Sequence, residues 1–101
     1  MNDDLTAQIR NALREVIDPE LGYNIVDLGF VYDIVVSDGV AHITMTATTR
    51  GCPASGFLKD GALRSASGVA GIDSVDVMMT FEPAWKPSMI EPATKALLGF
   101  P

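Results

Sequence analysis

Two β-rich arms separated by Ser37-Asp38-Gly39 constrain this chain most. Phe30 to Val36 is rich in β-branched and aromatic residues. Val40 to Thr48 then alternates cleanly, with Ala41, Ile43, Met45 and Ala47 on one face and His42, Thr44, Thr46 and Thr48 on the other. A turn whose glycine tolerates positive φ joins such arms into an antiparallel hairpin, one face in a core and the other open to water.

The elements around the hairpin follow from helical spacing. Asp3 or Asp4 suits an N-cap, and Leu5, Ile9, Ala12, Leu13 and Val16 recur every three to four residues. This first helix is expected to end before Asp18-Pro19, because proline disfavours a helical residue ahead of it. Glu20 to Gly29 then reads as a loop or short turn. A second helix is predicted from Cys52-Pro53, placing Cys52 at or beside the N-cap. Its apolar side is Ala54, Phe57, Leu58, Gly61, Ala62, Ser65 and Val69, with Gly68 and Gly71 closing it. Val75, Val77, Met79 and Phe81 alternate with Asp76, Met78 and Thr80 as a third strand. The run Glu82-Pro83-Ala84-Trp85-Lys86-Pro87 is stiffened by its prolines, with Trp85 read as a packing anchor. Ser88 is expected to cap a last short helix carrying Met89, Ala93, Ala96 and Leu97. A helix between strands two and three implies parallel pairing through a right-handed crossover. The expected fold is a small α/β sandwich of order α-β-β-α-β-α, with a three-stranded mixed sheet and helices on one face.

Size and composition narrow the chemistry. With 101 residues the chain makes one domain. Its 7 basic and 13 acidic side chains argue against nucleic acid or an anionic membrane as the main partner. The acidic start and the lack of a long apolar run are unlike a targeting signal or a membrane span. Together with a free thiol, they point to the cytoplasm. A mean hydropathy of +0.24 is high for a small acidic domain and points to a partner or a second copy. A single cysteine excludes an internal disulfide framework and a zinc site built from one chain's cysteines. No glycine-rich phosphate loop occurs, which argues against an ATPase or a dinucleotide enzyme.

Three places carry candidate chemistry. Cys52, at a helix N-terminus and two residues from Arg50, sits where a thiol pKa is lowered and the thiolate serves as nucleophile or metal ligand. The alternative is a small apolar cap. One thiolate closes no four-ligand site, so a metal or cluster there needs ligands from a second chain. Asp18 and Glu20, in the loop Asp18-Pro19-Glu20-Leu21-Gly22, suit a hard cation, acid–base work, or plain turn formation. Thr48 and Thr49 lead toward the thiol. His42, the single histidine, reads as a solvated strand residue, which leaves a Cys-His hydrolase without support.

Four stretches, in order, resemble a known family: Val16 to Gly22; Asn24 to Gly29 with Val31-Tyr32-Asp33; Thr46 to Pro53; and Phe81 to Met89. This is the small iron–sulfur assembly domain of PaaD, of bacterial SufT-like proteins and of the eukaryotic cytosolic iron–sulfur targeting factors. The resemblance implies the same α/β sandwich and an auxiliary, non-enzymatic role in building or delivering iron–sulfur clusters. It matches Cys52 to the family's characteristic cysteine, and Asp18, Glu20, Thr48 and Thr49 to the polar cluster around it. The implied partners are assembly machinery and client apoproteins, with a transient cluster as cargo. A homodimer supplying further ligands is expected separately, from the hydropathy and from the ligand shortage at a lone cysteine. Arg50 and Ser55-Gly56 depart from the pattern, and no cysteine-bearing extension follows Pro101. The last of these leads to the expectation of a general SufT-like role rather than PaaD-like maturation of an aromatic-CoA oxygenase. A competing expectation is an interaction adaptor without cluster binding, docking through Trp85, Pro83 and Pro87.

Overall fold

The computed structural model describes residues 2–48 and 55–99. Helix α1 (Asn2–Leu13) leads into strands β1 (Val31–Ser37) and β2 (Val40–Met45). Helix α2 (Ser55–Ser67), strand β3 (Ser74–Met79), a 3-10 turn at Pro87–Met89 and helix α3 (Pro92–Leu98) follow. The sheet order is β1-β2-β3, with β1 and β2 antiparallel and β2 and β3 parallel. The α/β sandwich read from the sequence is therefore the observed fold.

The hairpin forms because Asp38 and Gly39 both take positive φ, 52° and 80°. Two left-handed residues in succession match the right-handed twist of the strands they join. Gly39 also has a second task. Its carbonyl accepts the Asp73 N–H at 2.7 Å, which starts β3 beside β2. A Cβ there would run into the Asp73 carboxylate.

One sheet face is core. Ile34 and Val36 of β1, Ala41, Ile43 and Met45 of β2, and Val77 of β3 are buried against Ile9 and Leu13 of α1 and Leu58, Ala62 and Ala66 of α2. Helix α2 comes close to the segment after α1 at Gly61, where a Cβ would lie 2.9 Å from Val16 Cγ1. The glycine costs helix propensity and gains this close packing. The other face is open: His42 and Asp76, neighbours across β2 and β3, stand in water with Nδ1 and Oδ2 3.5 Å apart.

Several expected boundaries move. Asp3 and Asp4 lie inside α1 rather than capping it, and α1 stops at Leu13. The N–H groups of Arg14, Glu15 and Val16 bond three residues back, and the Val16 carbonyl goes to Ile25 instead. Strand β2 ends at Met45, so Thr46 does not continue the wet face. It is fully buried, its N–H bonded to the Phe30 carbonyl at 2.8 Å. Phe57 was expected on the buried side of α2 and is 61% exposed. The last helix begins after Glu91 with Pro92 at its first turn, not at Ser88. Its Leu97 is exposed, while Ile90 and Thr94 are buried. The predicted start of α2 at Cys52-Pro53 lies outside the described residues.

Candidate functional site

Residues 16 to 25 fold back on themselves. Ile25 donates to the Val16 carbonyl at 3.0 Å, Asp18 to Tyr23 at 2.9 Å and Gly22 to Asp18 at 2.8 Å, while Ile17 and Asn24 form an isolated antiparallel bridge. Gly22 permits the reversal by taking φ 77°. The turn draws the Asp18 side chain inside, to 2% exposure, where Oδ2 accepts the Leu21 N–H at 3.0 Å. Burial pushes the Asp18 carboxyl above the usual carboxylate range, and the nearby charge of Glu20 pushes the same way. The Leu21 N–H opposes both. Glu20 itself is exposed. Asp18 and Glu20 thus share one turn, one carboxylate desolvated and the other in water.

Beyond β2 the chain passes through buried Thr46 and Ala47 to half-buried Thr48. Thr49 and Cys52 lie outside the described residues, and the structure resumes at Ser55. Among the described residues, no three His, Cys, Asp or Glu side chains gather in a way that would hold a metal ion.

Trp85, Pro83 and Pro87 belong to a separate strap. The Trp85 indole N–H donates to the Leu28 carbonyl at 2.7 Å. Its ring meets Phe30 edge-on, centroids 5.4 Å apart and planes at 85°. Tyr32 donates its hydroxyl to the Pro83 carbonyl at 2.8 Å. Trp85 is half-buried by these contacts, whereas Pro83 and Pro87 remain exposed. Close approach at Gly29 completes the strap: its φ is 77°, and a Cβ would collide with the Met89 carbonyl oxygen. Asp27 ties the same region together, accepting the Glu91 N–H on its carbonyl at 2.8 Å and lying 3.6 Å from Arg14 Nε.

Reasoning from sequence missed one feature. An open cleft of about 360 Å³ separates α2 from the segment after α1, with Ile17 on one wall and Phe57 on the other. The signal is the i, i+3, i+7 spacing of Phe57, Asp60 and Arg64, of which helical spacing assigned only Phe57 to the buried side.

The iron–sulfur cluster assembly protein family matches residues 6–79, nearly three quarters of the chain and every element from within α1 through β3. The chain belongs to this iron–sulfur cluster assembly family. The iron–sulfur protein maturation auxiliary factor YitW of Bacillus subtilis is 36% identical over 98% of each chain. An iron–sulfur cluster carrier protein of Mycobacterium bovis is 39% identical over 75% of this chain, which spans 20% of that larger protein. A crystal structure of a domain of unknown function from Bacillus anthracis superposes with TM-score 0.93 at 32% identity, over 99% of this chain and 96% of that one. The family match takes in the Asp18 turn and stops before the Trp85 strap and α3, which the Bacillus anthracis superposition also covers.

Proposed function

We propose that this chain is an auxiliary factor in iron–sulfur protein maturation, contacting a cluster in transit through Cys52 and passing it to a client apoprotein. The family match over residues 6–79 carries this reading, and the full-length likeness to a maturation auxiliary factor supports it. The cluster is cargo rather than a resident cofactor. A four-iron or two-iron cluster takes about four protein ligands, and this chain has one cysteine. An incomplete set binds weakly and releases readily, as a donor must. The remaining ligands come from a second chain, a client or an assembly partner.

In this reading Asp18, Glu20, Thr48 and Thr49 form the polar surroundings of the thiol. Asp18 favours the role because a carboxyl desolvated this far holds its proton more tightly than a surface carboxyl does. Pro83 and Pro87, exposed on either side of the anchored Trp85, supply the docking contact for a client. The role is non-catalytic and cytoplasmic. An acidic chain with no membrane-crossing helix among its described residues fits that setting.

Anaerobic reconstitution tests the reading, with bound iron, bound sulfide and visible absorbance measured on wild type and Cys52→Ser. Wild type is expected to bind iron and sulfide together and to release them to an apoprotein acceptor, and the serine variant to bind neither. Equal iron and sulfide on both proteins would overturn the role of Cys52.

A further inference from the structure

Helix α2 buries Leu58, Ala62 and Ala66 and leaves a second stripe outside: Phe57, Asp60 and Arg64. The Phe57 ring is 61% exposed, and across the cleft Ile17 is 46% exposed. Single apolar residues on a surface are ordinary, but here two large ones line one cleft. Three charges rim it, Glu15, Asp60 and Arg64. Among the described residues none of the three side chains has an ion pair or hydrogen bond. Asp60 and Arg64 stand one helical turn apart in the order that favours an intrahelical pair, yet they do not touch. Both signs are therefore available to a partner.

We propose that this cleft is a self-association surface, on which two copies pair their α2 helices antiparallel about a two-fold axis near Gly61. A two-fold interface is isologous, so each contact occurs twice with the roles exchanged. Helical side chains lean toward their own N-terminus. Antiparallel pairing near Gly61 therefore brings Arg64 of one copy to Asp60 of the other and closes two ion pairs with one rotation. The same rotation lays each Phe57 against the C-terminal end of the other copy's α2 and covers part of its exposed surface. The charge pattern selects this occupant. A partner segment of one sign would satisfy half the rim and repel the other half, whereas α2 itself carries both signs at the required spacing.

This pairing stands on the cleft and its charges and goes beyond the cluster-transfer reading. A wild type that stays monomeric would remove the pairing, whereas equal iron and sulfide on wild type and Cys52→Ser would remove the cluster reading, so the two failures are distinguishable. The test is sedimentation equilibrium of the full chain from low to high micromolar concentration. It is run near physiological salt, where the Debye length of about 8 Å screens repulsion between two acidic molecules but not close pairs. Wild type is expected to dimerise reversibly. Asp60→Arg and Arg64→Asp should each weaken the dimer by about tenfold or more, because each places like charges against each other. An equimolar mixture of the two variants should recover wild-type affinity as a heterodimer, since at positions 60 and 64 one copy then presents only positive and the other only negative charge. Phe57→Ser should weaken association as well, and circular dichroism confirms that every variant is folded. Three results would overturn the proposal: a wild-type monomer at all concentrations, charge reversals that dimerise as tightly as wild type, or a mixture no tighter than either variant alone.

Discussion

Replacing Trp85 separates the bond it makes from the ring it packs. In Trp85→Phe the aromatic contact with Phe30 survives in large part, but the 2.7 Å donation to Leu28 is lost and that carbonyl is left without its side-chain donor. A net hydrogen bond of this kind contributes about 1 kcal/mol. In Trp85→Ala the edge-on pair goes too, at about 0.5–1.5 kcal/mol. Removing a half-buried large side chain adds roughly 1–2 kcal/mol of lost apolar burial. The expected totals are about 1 kcal/mol for phenylalanine and about 3.5 kcal/mol for alanine, taking the middle of each range. For a domain of this size each kcal/mol moves Tm by roughly 4–8 °C, so the phenylalanine variant should melt about 6 °C lower and the alanine variant about 20 °C lower. Thermal melts by far-UV circular dichroism measure this, and near-UV ellipticity of Trp85, the single tryptophan, checks that the wild-type strap is ordered. An alanine variant melting within about 2 °C of wild type would refute the anchoring argument, because no combination of these contributions is that small.

Two further substitutions probe the turns. Gly29→Ala places a methyl group against the Met89 carbonyl at φ 77°, while Gly22→Ala meets the same backbone strain in open space. Left-handed strain costs about 1 kcal/mol in both, so a urea midpoint that falls clearly further for Gly29→Ala isolates the collision. Equal midpoints would refute it. Asp18→Asn keeps an acceptor for the Leu21 N–H and removes a buried charge. The Asp18 carboxyl is raised above its unfolded value of about 3.9, so its contribution to stability is present below that value and lost as pH climbs through the raised one. The asparagine variant should therefore be at least as stable as wild type at neutral pH, with its advantage shrinking on acidification. Denaturant titrations across that window check the sign, and an advantage that grows as pH falls would show that burial is not what dominates.

The site divides along similar lines. The Asp18-Pro19-Glu20-Leu21-Gly22 loop was readable as a candidate because two carboxylates on an irregular segment stand out from any periodic pattern. That Asp18 would be buried while Glu20 stays in water was not readable. It depends on the Ile25 to Val16 and Asp18 to Tyr23 bonds that close the loop over the carboxyl. Phe57 shows the reverse error. Helical spacing offered it a place beside Leu58, but the buried arc of α2 is only wide enough for Leu58, Ala62 and Ala66, because Gly61 already brings the helix against Val16.

The sequence by itself determined the order of elements, the hairpin at Asp38-Gly39 and the inward face of Ala41, Ile43 and Met45. These follow from side-chain period and local φ, which neighbouring residues alone dictate. Tertiary structure decided where α1 stops, why Thr46 is buried, how Trp85 is anchored to Leu28, and which charges around Phe57 are left unpaired. Each of those depends on a backbone group or side chain far away in sequence and close in space, and no local pattern records its position.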